Sequence, residues 1–196
     1  MILTGVYSTV IDWIEPQSRV LDLGTGDGTF LSRLIQEKRV KGEGVEINLD
    51  LVASCIEKGL TVHQGDILDG LDQYSSSSFD YIVLLGTFHE LTEPNYVLEE
   101  VFRVGRRLII GYSNFAYWKI RFQMMFQGRT PITESMPLPW YTSPNIQFFS
   151  IKDFRDFCHF QKLNIIEEAC FSKERRIKFL PNLFADQAVT MLENFQ

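Results

Sequence analysis

Val20-Leu21-Asp22-Leu23-Gly24-Thr25-Gly26-Asp27-Gly28 is the stretch whose reading decides the fold. A short apolar run carrying one acid, Asp22, turns through three alternating glycines. A helix-period segment follows, with Phe30, Leu31, Leu34 and Ile35 on one face. The order predicts strand, tight turn, helix. Glycines at such a turn let backbone N–H groups approach a ligand closely, and the partial positive charge of a helix start favours an anionic group. The turn therefore reads as the binding site for a nucleoside cofactor.

The spacing narrows the choice of cofactor. Dinucleotide-binding turns follow G-x-G-x-x-G. Here Gly24, Gly26 and Gly28 give G-x-G-x-G, with Asp22 two residues ahead of the first glycine. A carboxylate there suits a ligand with an ammonium group and disfavours a pyrophosphate. S-adenosylmethionine, or its demethylated product S-adenosylhomocysteine, meets both conditions. The segment resembles motif I of the class I S-adenosylmethionine-dependent methyltransferases. A dehydrogenase is the reading that remains if the glycine spacing misleads.

Outward from this turn, strands and helices alternate. Ile2–Ile14 has the pattern of an amphipathic helix, which Pro16 ends. Strands are predicted at Arg19–Leu23, Lys41–Ile47, Leu60–Gln64, Phe79–Leu85 and Arg107–Tyr112. Helices are predicted at Thr29–Lys38, Leu49–Lys58 and Pro94–Arg103. Phe79–Leu85 is apolar enough to be buried on both faces of a parallel sheet. Further on, Asn114–Gln127 reads as a helix crowded with aromatics, followed by a Pro- and aromatic-rich loop over 128–150. Ile151–Gln161 reads as a helix, and Asn164–Ala169 and Ala185–Leu192 as the last two strands. The expected architecture is α/β: a Rossmann-like, doubly wound, mostly parallel seven-stranded sheet with an aromatic insertion before its last two strands. No linker divides residues 1–196, so one domain is expected, with 129–145 as a lid or an interface insertion.

Ligands in such folds sit beyond the carboxyl ends of the strands. Asp22, Glu46 and Asp66 lie at or just after the first three strands. Glu46 is placed to accept from both ribose hydroxyls and Asp66 from an adenine amino group, with Ile47 and Ile67 as apolar walls. Gly24, Thr25, Gly26 and Gly28 complete the expected cofactor site. Leu85, at the end of the fourth strand, opens a segment facing the reactive end of the cofactor. His89 and Glu90, in that segment, are candidate general bases, and Tyr141 in the insertion is a third catalytic candidate. Methyl transfer from a sulfonium leans on positioning, so a dedicated base is not obligatory.

Composition excludes several classes. A net charge of −6 argues against general affinity for nucleic acid or an acidic membrane surface. A basic run at Lys173, Arg175, Arg176 and Lys178, joined by Arg106 and Arg107, keeps an RNA methyltransferase as a minor reading. The apolar stretches are too short to cross a bilayer, and Asp12 and Glu15 fall where a signal peptide would be apolar. Cys55, Cys158 and Cys170 fit reduced core thiols in a cytoplasmic protein. His63, His89 and His159 have no clustered ligand partners, so no metal site is expected.

Over nearly its whole length the chain resembles the MetW family of methionine biosynthesis proteins. The segments that carry the resemblance are Arg19–Gly28, Gly44–Ile47, Gln64–Ile67, Leu98 through Arg107, and above all Ser113-Asn114-Phe115 to Asp153. Within that last block, Gly128-Arg129-Thr130-Pro131-Ile132-Thr133 and Pro139-Trp140-Tyr141-Thr142-Ser143-Pro144-Asn145-Ile146 are the most specific motifs, and Ala185-Asp186-Gln187-Ala188-Val189 also fits. Thr25 stands where the family usually has Cys, and Thr87-Phe88-His89-Glu90 replaces a more Gln-rich stretch. The resemblance implies a class I methyltransferase-like fold that binds S-adenosylmethionine. It also implies a homoserine O-acyltransferase as partner, served by this chain as a regulatory subunit. The alternative is an active methyltransferase on a small-molecule acceptor.

Overall fold

The computed structural model describes residues 4–194. The two residues Ile2 and Leu3 of the expected first helix lie outside them. One mixed sheet runs through the molecule. Its strands are β1 Arg19–Leu23, β2 Lys41–Glu46, β3 Thr61–Gln64, β4 Phe79–Leu85, β5 Gly105–Ser113, β6 Leu163–Ser172, β7 Arg175–Arg176 and β8 Gln187–Asn194. Their order is β3-β2-β1-β4-β5-β8-β6-β7. The first five pair in parallel, whereas β8 runs antiparallel between β5 and β6.

The sheet has eight strands, one more than expected. The chain turns at Lys173, which has φ 53°, and Arg175–Arg176 pair back onto Phe171 and Ser172. A two-residue strand carries no alternation to detect. Arg106 and Arg107 do not join the basic residues of this hairpin. Arg107 pairs with Glu193 at one end of β8, whereas β6 meets β7 beside Gln187 at the other.

Helices cover both faces: α1 Thr4–Trp13, α2 Thr29–Lys38, α3 Leu49–Glu57, α4 Ile67–Asp72, α5 Pro94–Val104, α6 Trp118–Phe122, α7 Ile151–Phe160 and α8 Pro181–Phe184. Local signals start several of them. Asn48 caps α3 by accepting from Asp50 and Leu51 N–H. Ser150 and Asp153 form a reciprocal capping box at α7. On one face Leu21, Leu23, Leu84, Leu98 and Phe154 share a core with α4, α5 and α7. On the other, Val20, Tyr81, Val83 and Ile109 pack against Val10, Ile14, Phe30 and Leu34 of α1 and α2. All three cysteines are buried and unpaired by disulfides. No helix among the described residues is long and apolar enough to cross a membrane.

The expected helix over 114–127 starts late. Asn114 is fully buried, and its Oδ1 accepts from Ala116 N–H in a local turn. The helix begins only at Trp118 and ends in a π-helical turn, Gln123–Gln127. Residues 128–150 then form the irregular insertion.

Candidate functional site

The three glycines at the end of β1 each adopt positive φ: 73° at Gly24, 60° at Gly26 and 76° at Gly28. Gly24 also needs its missing side chain, because a Cβ there would come within 2.4 Å of Thr87 Oγ1. Gly28 caps α2, and a Cβ at Gly26 would meet open space. The loop is pinned from β2, since Gly24 and Thr25 N–H both donate to the Val45 carbonyl.

Glu46 organises the other side. Its Oε2 accepts from Gly26 N–H and its Oε1 from Asn48 N–H, both at 2.9 Å. One carboxylate thus ties the glycine turn to the start of α3. A carboxylate offers about four acceptor positions, so two remain for ligand hydroxyls.

Asp22 lies beneath the loop, only 3% exposed, with Thr25 Oγ1 donating to it at 2.6 Å. Burial pushes its carboxyl up to about 7; the Thr25 bond opposes the shift and the Glu46 charge adds to it.

These groups flank a cleft of about 340 Å³, lined by Gly24, Glu46, Ile47, Asp66, Ile67 and Glu90 among others. Asp66 sits exposed at its rim and also caps α4, accepting from Leu68 N–H at 3.0 Å. Ile47 is 64% exposed and Ile67 is buried, so an apolar face is open at the mouth. Gly24, Glu46, Ile47, Asp66 and Ile67 are therefore brought together around the cleft. Asp22 and Thr25 support it from below. Gly26, Gly28 and Leu85 shape the turn and the strand end without lining it.

The three catalytic candidates separate. His89 is buried, and both ring nitrogens are engaged. Ser113 N–H donates to Nε2 at 2.9 Å, so Nδ1 carries the proton and donates to the Gln147 carbonyl at 2.8 Å. Its ring stacks on Phe149 at 4.5 Å, and burial pushes its pKa down. His89 is thus a neutral strut holding the insertion, with Ile146 and Gln147 N–H donating to its carbonyl. Glu90, next in the chain, is open to the cleft, and partial burial and the Glu46 charge push its carboxyl up. Tyr141 is 71% exposed on the outer insertion, edge-on to Trp140.

Sequence reading missed Tyr7. Burial first, then the charges of Asp22 and Asp27, push its phenol up. Its ring packs 5.2 Å from Phe30. The signal was there: Tyr7 shares the helical face of Val10 and Ile14.

A family model described as methionine biosynthesis protein MetW matches residues 5–192. The bifunctional methionine biosynthesis protein MetXA/MetW of Rhodopirellula baltica is 30% identical over 194 residues, covering 92% of this chain. The chain spans only 31% of the length of that relative. Among solved structures, an S-adenosylmethionine-dependent methyltransferase of Thermotoga maritima superposes with a TM-score of 0.67 at 17% identity, over 96% of this chain and 87% of the other. One from Archaeoglobus fulgidus gives 0.67 at 16%, over 96% and 93%. At such identities the likeness establishes an α/β methyltransferase-like fold, and fold alone does not fix a reaction.

Proposed function

Because the chain belongs to the MetW family of methionine biosynthesis proteins, we propose that it binds S-adenosylmethionine and serves a homoserine O-acyltransferase as partner or regulatory subunit. The observation that carries the cofactor half is the paired use of Glu46, which holds the glycine turn while keeping acceptor positions for a ribose. Ile47 and Ile67 suit the two faces of an adenine, and Asp66 at the rim suits its amino group. The buried Asp22 suits the ammonium end.

The partner half rests on two observations. The relative from Rhodopirellula baltica joins a MetXA and a MetW part in one chain. The π-helical turn also leaves Met125 and Phe126 exposed, at 78% and 67%, and the insertion that follows leaves Trp140 exposed, at 72%. Exposed aromatics and methionine are enriched in the cores of interfaces. Co-expression with a homoserine O-acyltransferase is expected to yield a complex on size-exclusion chromatography, with S-adenosylmethionine changing the acyltransferase rate. Separate elution at micromolar concentration would remove this half of the proposal. The second reading, methyl transfer to a small acceptor, is favoured by Glu90, which stands between the cofactor cleft and a neighbouring cavity. Transfer of labelled methyl to a metabolite extract is its test.

Asp22 gives the cofactor reading a pH signature. In the unfolded chain it titrates near 3.8, and in the folded one near 7. Between those values the folded chain holds a proton that the unfolded one has lost, so rising pH erodes stability across that window. A bound ammonium or sulfonium reverses the preference and expels the proton. Binding at pH 7 is therefore expected to release about half a proton, and none above about pH 9. Calorimetry in buffers of different ionisation enthalpy measures this, and Asp22→Asn removes it.

A further inference from the structure

A second cavity, of about 140 Å³, adjoins the cofactor cleft, and Glu90 lines both. Four segments converge on it: the turn after β4, the end of β5, the insertion and the start of β8. Its polar lining includes Ser135, Ser143, Asn145 and Gln187, with Leu138 contributing an apolar wall. A site of this size takes a molecule of about six non-hydrogen atoms, or a few waters.

Its charge is one-sided. Among the lining residues Glu90 is the only acid, and no Lys or Arg accompanies it. His89 also lines the cavity, and both of its nitrogens are occupied by backbone partners, leaving it neutral. The Glu46 charge reaches Glu90 from the adjoining cleft. An anion here would face a carboxylate with no compensating cation. An ammonium would be matched by Glu90 and surrounded by hydroxyl and amide groups.

We propose that this cavity is a second ligand site, taking a small molecule that carries a protonated amine and no anionic group, held by Glu90. The site deepens the cofactor reading, on which it rests for its role. Glu90 is shared by the two sites, so the occupant is the co-ligand of that cleft. The insertion closes over it, because the Ser113 hydroxyl donates to the Ser135 carbonyl at 3.1 Å and so fixes the inner loop to the end of β5.

The test is amide NMR on the labelled full chain, titrated separately with ethanolamine and with sodium acetate, probes of matched size and opposite charge. Ethanolamine is expected to shift Gly86, Ser135 and Asn145 saturably at millimolar concentration, and acetate to leave them unmoved. Glu90→Gln is expected to weaken the ethanolamine response at least tenfold, and Ser143→Phe to fill the cavity and abolish it while the remaining spectrum is kept. No saturable ethanolamine shift, an equal response to acetate, or undiminished binding by Glu90→Gln would overturn the proposal. S-adenosylhomocysteine, added to the same sample, reports on Gly26 and Ile47. A response to ethanolamine without one to the nucleoside removes the cofactor reading and leaves this site standing. The reverse removes this site alone.

Discussion

Replacing Glu46 with alanine is expected to weaken S-adenosylmethionine binding about 100-fold. A hydrogen bond to a charged group contributes about 1.5–3 kcal/mol, and the proposed ribose contact uses two. Losing about 3 kcal/mol corresponds to roughly two orders of magnitude in Kd. The loss has a second source. Gly26 and Asn48 N–H both end on this carboxylate, so its removal loosens the glycine turn that shapes the cleft. Glu46→Gln disturbs both at once. Its size is kept, but one oxygen becomes an NH₂ group facing a backbone donor, so it too binds weakly. Titration calorimetry reads the outcome, and a Kd within threefold of the parent would remove Glu46 from the site.

Replacing Asn114 with alanine is expected to cost about 4 kcal/mol of stability and lower Tm by about 10 °C. This residue is fully buried. Its Nδ2 donates to the carbonyls of Asn182 and Ala185, at 3.1 and 2.7 Å. Its Oδ1 accepts from Ala116 and Ile151 N–H, at 3.1 and 3.3 Å. One amide therefore joins the end of β5, the start of α7 and the turn between α8 and β8. Alanine leaves up to four backbone groups without a partner in a site with little access to water, each costing about 1–3 kcal/mol when orphaned. Asn114→Asp keeps the acceptors but sets a carboxylate against two carbonyls, and is expected to be no better. Thermal or urea unfolding measures both variants. A loss below about 1 kcal/mol would show that water replaces the amide.

The parallel half of the sheet was legible because its signals are local and strong. Phe79–Leu85 is apolar apart from Asp80 and lies between Ser78 and Gly86, and it forms a strand with those bounds. Arg19–Leu23 likewise ends where Gly24 must turn. The turn residues and acids were placed correctly relative to the strand ends because strand, turn and helix follow each other directly. The misses have physical causes. Ile67–Asp72 is a six-residue helix, too short for a period, with Gly70 in its middle packed against Val45. Aromatic spacing suggested helix from Asn114 onward, whereas the Asn114 side chain competes for the backbone and delays the helix to Trp118. The role of His89 was illegible because its two partners, Ser113 and Gln147, lie far along the chain.

The insertion of β8 between β5 and β6 has a kinetic consequence. Residues 187–194 follow both neighbours in the chain, yet each neighbour needs them for its ladder of hydrogen bonds. During synthesis on the ribosome, β1 to β5 can assemble as they emerge, but one edge of β5 stays bare until this late segment appears. Bare edges recruit other strands, and closure over such a sequence separation is slow. The interval before β8 arrives is when a nascent chain most needs a chaperone.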